Sequence, residues 1–134
     1  MDLMAIRRGL MAQSSKPQIT MNGADYEWTN NYFLGQSNKP NPGVANSNTN
    51  FYKITLDFIP CSSLVGRTVQ ITGSNTSSVV LLICAFYSTN DETSCVGYIV
   101  EDTATGIVPN NAQYCRFCMA KNNSVNDFYL TTID

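Results

Sequence analysis

Beyond Phe51 the chain never sustains a helical repeat; it runs as short alternating stretches cut by glycine, asparagine and serine. Tyr52, Ile54, Leu56 and Phe58 alternate with Lys53, Thr55 and Asp57, the period of a half-buried antiparallel strand. Thr68 to Thr72 repeats the pattern with Val69 and Ile71 facing inward, and Gly73-Ser74-Asn75 then turns the chain. Val79 to Tyr87 is apolar almost throughout. Its Ser- and Asn-rich flanks mark it as a central core strand rather than a helix. Ser88 to Ser94 is turn-like, Cys95 to Val100 reads as another strand, and Phe128, Leu130 and Thr132 make the last. Roughly seven or eight strands with frequent turns predict an all-β fold, an antiparallel β-sandwich of jelly-roll type.

The first third is organised differently, as a leader over 1–15 followed by the start of a single sandwich domain over 16–134. In the leader, Asp2 is placed to cap a short helix with Leu3, Ile6 and Leu10 at spacings of three and four. Met4 and Met11 widen the apolar stripe, and Arg7 and Arg8 lie on the other side. Gly9 weakens such a helix by ~1 kcal/mol relative to Ala. An isolated helix this short is marginal in water, so the leader either stays extended or packs on something. That surface is the chain's own domain or a partner. Leu3, Ile6, Arg7, Arg8, Leu10 and Met11 are therefore the candidate docking or oligomerisation residues. Ile19-Thr20-Met21 predicts a first strand, ended by the Asn22-Gly23 turn signal. Gln36 to Asn50, with Pro40, Pro42, Gly43 and five asparagines, is a long polar loop.

The composition removes several function classes. There are no histidines, which excludes Ser-His-Asp and Cys-His catalysis and any histidine-ligated metal. A net charge of −2 with 13% charged residues leaves no basic footprint for nucleic acid. Fifteen asparagines, with many serines and threonines, solvate the surface in place of lysine and glutamate, which suits turns and strand faces. No apolar run approaches the ~20 residues of a membrane span, and Arg7 and Arg8 interrupt the only N-terminal apolar stretch, so neither a span nor a secretory signal is expected. Five cysteines in a chain without a signal are expected to be reduced thiols. Cys115 and Cys118 have C-x-x-C spacing, but residues i and i+3 of a strand face opposite ways, and no second C-x-x-C exists. Nor does any stretch have the pattern of a calcium loop, and the glycines are scattered singly without phosphate-cradling spacing. No metal or other cofactor is expected.

One phrase stands apart: Val108-Pro109-Asn110-Asn111-Ala112-Gln113-Tyr114-Cys115-Arg116-Phe117, of the form V-P-x-N-A-x-Y-x-R-F. Pro109 and the two asparagines make a loop, and Tyr114 to Met119 then alternates as a strand. Cys115, Phe117 and Met119 share one face, and Tyr114, Arg116 and Cys118 the other. The phrase resembles part of a β-sandwich module of bacteriophage and prophage tail-fibre, baseplate and other virion appendage proteins. Thr55 to Pro60, Ala85 to Asn90 and Asn126 to Leu130 resemble further strands of that module, in the same order. The resemblance covers roughly 51–134, with Cys61, Cys115 and Cys118 as departures. It implies a structural protein of a virion, made in the host cytoplasm. Its implied partners are other virion proteins and copies of itself, a trimer by analogy.

Asp25 to Phe33 is the only dense aromatic cluster. Tyr26, Trp28 and Tyr32 with Glu27, Asn30 and Asn31 have the composition of a sugar site, where aromatic faces meet a pyranose ring and amides and carboxylates meet its hydroxyls. Trp28 and Phe33 equally suit core positions. A glycosidase needs two opposed carboxylates, whereas Asp25 and Glu27 would be same-face neighbours in an extended segment. Asp91-Glu92 and Glu101-Asp102 sit in turn-like sequence. The expectation is a non-enzymatic virion protein or, in a different class, a carbohydrate-binding module for a bacterial surface glycan.

Overall fold

In the computed structural model, residues 16–36, 40–47 and 50–134 are described. Leu3, Ile6, Arg7, Arg8, Leu10 and Met11, with the rest of the predicted leader, lie outside the described residues.

Among the described residues every regular element is a strand or a single 3₁₀ turn. In chain order the strands are β1 (Thr20–Asn22), β2 (Trp28–Asn30), β3 (Phe33–Leu34), β4 (Ala45–Asn46), β5 (Tyr52–Thr55) and β6 (Ile59–Pro60). Then come β7 (Thr68–Thr72), β8 (Leu82–Tyr87), β9 (Cys95–Val100), β10 (Thr105–Ile107), β11 (Tyr114–Ala120) and β12 (Tyr129–Thr132). A four-stranded antiparallel sheet runs β1-β12-β7-β10. A larger one runs β2-β5-β11-β8-β9, with β6 also on β11, and β3 and β4 form a separate hairpin. The all-β expectation therefore holds, in a sandwich-like arrangement.

The side-chain alternation read from β11 explains how the layers meet. Cys115, Phe117 and Met119 enter the core shared by the two sheets, where they join Val69, Ile71 and Leu130 from the smaller sheet and Phe128 just before β12. Cys118 faces the other way, into a second core with Leu34, Ile54, Leu82, Ala85 and Tyr87. The β3–β4 hairpin covers that outer face, held by the Tyr87 hydroxyl donating to the Gly43 carbonyl and by the Ala45 amide donating to Glu92 Oε2 at 3.1 Å. The large sheet is thus buried on both faces at its centre. That is why β8 reads as a continuous apolar run rather than an alternating one.

Two strands differ from the alternation that predicts them. The stretch Tyr52 to Phe58 is not one strand: its ladder stops at Thr55, Leu56 is 49% exposed, and pairing resumes at Ile59. β5 pairs with Cys118 to Ala120 and β6 with Tyr114 and Cys115, so the partner strand passes the gap with only Arg116 and Phe117. Side chains close that gap. The Phe117 amide donates to Thr55 Oγ1 at 3.0 Å, and the Arg116 guanidinium donates to the carbonyls of Thr55 and Leu56 at 2.8 and 3.3 Å. Pairing in β8 likewise starts at Leu82 and not at Val79, which is 61% exposed. The left-handed conformations of Asn75 (φ 47°) and Ser77 (φ 63°) cannot continue an extended ladder. Gly73 starts this turn at φ +85°, where an added Cβ would lie 2.0 Å from the Asp127 carbonyl oxygen.

Candidate functional site

The interruption between β5 and β6 makes a recess. Residues 56–58 loop away from β11, and the Leu56 amide donates to the Glu27 carbonyl at 2.8 Å, drawing the loop beside the chain that enters β2. Asp25, Tyr26, Glu27, Thr55, Asp57 and Ile59 line a cavity of about 230 Å³ there. Arg116 forms its inner support: 7% exposed, bonded to carbonyl oxygens, with Cζ 5.1 Å from the centroid of the Phe58 ring. The three carboxylates give the recess an acidic rim. No group of three or more histidine, cysteine or acidic side chains among the described residues is placed to hold a metal ion. Burial, with lesser contributions from Cys115 and Asp25, pushes the Tyr26 phenol above its ordinary pKa, so it remains a neutral donor at physiological pH.

The six residues of the predicted sugar cluster are spread over different environments. Tyr26 and Glu27 line this recess. The Tyr26 ring also leans on Phe117, with centroids 6.0 Å apart. Trp28 packs edge-on against Phe128 at 5.3 Å, and its indole N–H donates to the Gly23 carbonyl at 2.8 Å, so it buttresses the inter-sheet core. Asn30 ends β2 at the surface. Asn31 takes a left-handed conformation (φ 70°), and its Oδ1 accepts from Lys121 Nζ at 2.9 Å. Tyr32 is 37% exposed.

A second recess of about 200 Å³ opens at the β3–β4 hairpin, lined by Phe33, Gly35, Gln36, Pro40 and Asn46. Beside it the aromatic rings continue in a row. The Phe33 centroid is 6.4 Å from that of Tyr52, and the Tyr52 centroid is 6.2 Å from that of Phe51, which is 72% exposed. Sequence reasoning missed this row because Phe33 lies 18 positions before Phe51, and only the hairpin's fold onto the large sheet brings them together. The signal present was the pair Phe51-Tyr52 at the start of a strand, which alone does not show an exposed surface.

The C-x-x-C thiols separate as strand geometry requires: Cys115 lies in the inter-sheet core and Cys118 in the outer one. Cys61 and Cys84 join Cys115 in the inner core, and all five cysteines are free thiols. A hydrogen bond to Cys115, then burial, raises the Cys61 pKa. For Cys115, the bond to Cys61 acts downward, but the bond to Cys84 and burial outweigh it and leave the thiol well above its ordinary value. Burial pushes Cys118 up to about 12. Thiols so buried are poor nucleophiles.

No protein-family model, no curated protein and no solved structure matches this chain.

Proposed function

We propose that this chain is a non-enzymatic structural component of a phage or prophage particle, a jelly-roll sandwich displayed at the particle surface. One observation carries the reading: segments that resemble appendage modules, though scattered in sequence, meet in one structural unit. Residues 85–87 pair with β11, β11 pairs with β6, and Arg116 of the Val108–Phe117 phrase bonds the Thr55 carbonyl of the earlier segment. Three of the four resembling segments thus fall on the large sheet, and the fourth, Asn126 to Leu130, enters β12 of the smaller one.

The strand order supports the jelly-roll description. With β1, β5, β7, β8, β9, β10, β11 and β12 taken as first to eighth, one sheet runs first-eighth-third-sixth and the other second-seventh-fourth-fifth. First pairs with eighth, second with seventh, third with sixth and fourth with fifth, the pattern of one long antiparallel hairpin wound over itself. A sequence without histidine, and an acidic recess with no metal geometry among the described residues, suit display rather than catalysis. In this reading the leader anchors the module to other virion proteins or to copies of itself, a trimer by analogy with appendages in general. The protein is made in the bacterial host cytoplasm and reaches the outside within the particle.

The test is antibody labelling of particles released from a host carrying the chain, viewed by electron microscopy. Label fixed at a regular place on the particles is expected. Particles that never carry it, while the protein accumulates in the lysate, overturn the proposal.

A second reading has its own support. Both recesses set an aromatic side chain beside carboxylates or amides, the combination that suits a sugar. A displayed sandwich that also grips bacterial surface glycan is compatible with the first reading.

A further inference from the structure

We infer that the outer face of the β1-β12-β7-β10 sheet is a docking surface for residues 1–15 of a second copy of this chain. The inference rests on the assembly role given to the leader above and names the surface that receives it.

Strand alternation and register lay out this face. β7 sends Val69 and Ile71 into the inter-sheet core, so Thr68, Gln70 and Thr72 point outward. Ile107 of β10 pairs with Thr68 on one side. On the other, the Ile133 amide donates to the Thr68 carbonyl at 2.9 Å, which carries β12 one residue further. Ile107 and Ile133 therefore flank Thr68 in one row, 69% and 50% exposed. Tyr129 stands on the same face, opposite Thr72, and is exposed as well. No outward-facing residue of the four strands is charged. The large sheet has its outer face covered by the β3–β4 hairpin, whereas among the described residues no element covers this one. Apolar side chains grouped in the open on an uncharged sheet face mark a contact surface.

The place where the chain enters this sheet decides what docks there. The Ile19 amide donates to Thr132 Oγ1, and the Thr132 amide donates to the Ile19 carbonyl, so the segment before β1 runs beside the end of β12. Arg67 Nη2 donates to the Pro17 carbonyl at 3.1 Å, and Lys16 Nζ is 3.7 Å from Asp134 Oδ2. Residues 1–15 therefore join the sheet at the end that carries the Ile107–Thr68–Ile133 row. Pro17 restricts Lys16 to extended backbone, which directs the chain past the end of its own sheet rather than back over it. The face within its line of travel is that of a neighbouring copy.

Length and charge fit the same occupant. As a helix, the stripe from Leu3 through Ile6 and Leu10 to Met11 spans ~12 Å. Ile133 and Ile107, two strand spacings apart, are separated by ~10 Å. A helix this short is marginal alone, and an apolar face on a partner supplies the packing it lacks. Arg7 and Arg8 against Asp2 give residues 1–15 a net charge of +1, so the chain's −2 leaves −3 on residues 16–134. Two such sandwiches repel each other, while the leader of one is attracted to the sandwich of the next. A segment of one copy seated on a different surface of another is a head-to-tail contact, which closes into a ring and accommodates a trimer.

The test uses the full chain and light scattering. The parent is expected to be an oligomer. Ile107→Glu and Ile133→Glu, both at exposed positions, should each keep the melting temperature within a few degrees and weaken self-association at least about tenfold, seen as monomer mass at the same concentration. Leu3→Asp combined with Leu10→Asp should do the same, and Thr89→Glu, in the turn after β8, should change nothing. To show that the contact joins two copies, full-length Leu10→Cys and Thr105→Cys proteins are mixed in a glutathione redox buffer. A disulfide-linked heterodimer is expected by mass spectrometry, and none when Thr89→Cys replaces Thr105→Cys. A disulfide that forms only within a single chain carrying both Leu10→Cys and Thr105→Cys would put the leader on its own sheet and overturn the exchange between copies. An oligomer that survives both isoleucine substitutions but not the paired leucine ones would overturn this surface and leave the leader's assembly role standing. A parent chain that is monomeric at every concentration would overturn both, and antibody labelling of particles would still decide the virion reading by itself.

Discussion

Arg116 explains more of this molecule than any other side chain. It is the penultimate residue of the phrase that resembles virion appendage modules, and it bonds the carbonyl of Thr55 in the recess lining. Its guanidinium replaces the missing ladder partners between β5 and β6, satisfying the Thr55 carbonyl that would otherwise be buried without a donor and reaching the Leu56 carbonyl beside it. Arg116→Met keeps the stem but loses those bonds and should cost about 2–4 kcal/mol, read as a lower urea midpoint with unchanged slope. Arg116→Lys should recover only part of the loss, because an ammonium cannot span both carbonyls with a planar fork. A milder test of the same kind is Trp28→Phe. It keeps an aromatic ring against Phe128 while leaving the Gly23 carbonyl without its indole donor, and should cost about 1 kcal/mol in the same assay. At the chain's other end, Arg67 and then the Thr68 amide hold the Asp134 carboxyl down to about 2. A folded value below the unfolded one means this stabilisation is complete above pH ~4 and lost as pH falls through about 2. Solvent screening keeps the effect small. Asp134→Asn should therefore flatten part of the acid limb of a stability-versus-pH curve and change nothing in its shape near pH 7.

At the scale of elements, the β3–β4 hairpin is the piece to watch. Its strands have two residues each, and its own ladder is too short to hold it. It stays because Leu34 is fully buried in the outer core and because Tyr87 and Glu92 reach it from the large sheet. Tyr87→Phe removes one of those ties without opening a cavity. Amide exchange at Gly43, Val44 and Ala45 should then speed up several-fold relative to β8 and β11, as measured by hydrogen exchange with mass spectrometry. Equal protection in the variant and the parent would show that packing of Leu34 alone fixes the hairpin. Strand β11 shows the opposite case. The two faces of Tyr114 to Met119 were legible because strand period alone fixes which side chains share a face, whatever covers them. The alternation of Tyr52 to Phe58 misled because periodicity cannot register a break that a distant arginine repairs.

For the whole molecule, truncation tests what the leader does for the sandwich. Among the described residues both cores are built by the strands and the turns that join them. If the leader serves assembly, a chain lacking residues 1–13 should keep its melting temperature within a few degrees while losing assembly, seen as an oligomer falling to monomer mass by light scattering. A large drop in melting temperature would make the leader part of the core.

The sequence alone determined the class of fold. Alternation, turn residues at short intervals and the lack of helical periods leave few ways to bury the apolar faces other than packed antiparallel sheets. It also determined the sidedness of β11 and the turn after β7, since strand period and backbone sterics are local properties. The tertiary structure decided everything that depends on residues far apart. Arg116 meets Thr55 across 61 positions, and Phe33 meets Tyr52 across a folded hairpin. Both recesses exist because of such meetings. Local preferences act over a few residues, whereas a recess is a property of surfaces that only long-range packing brings side by side.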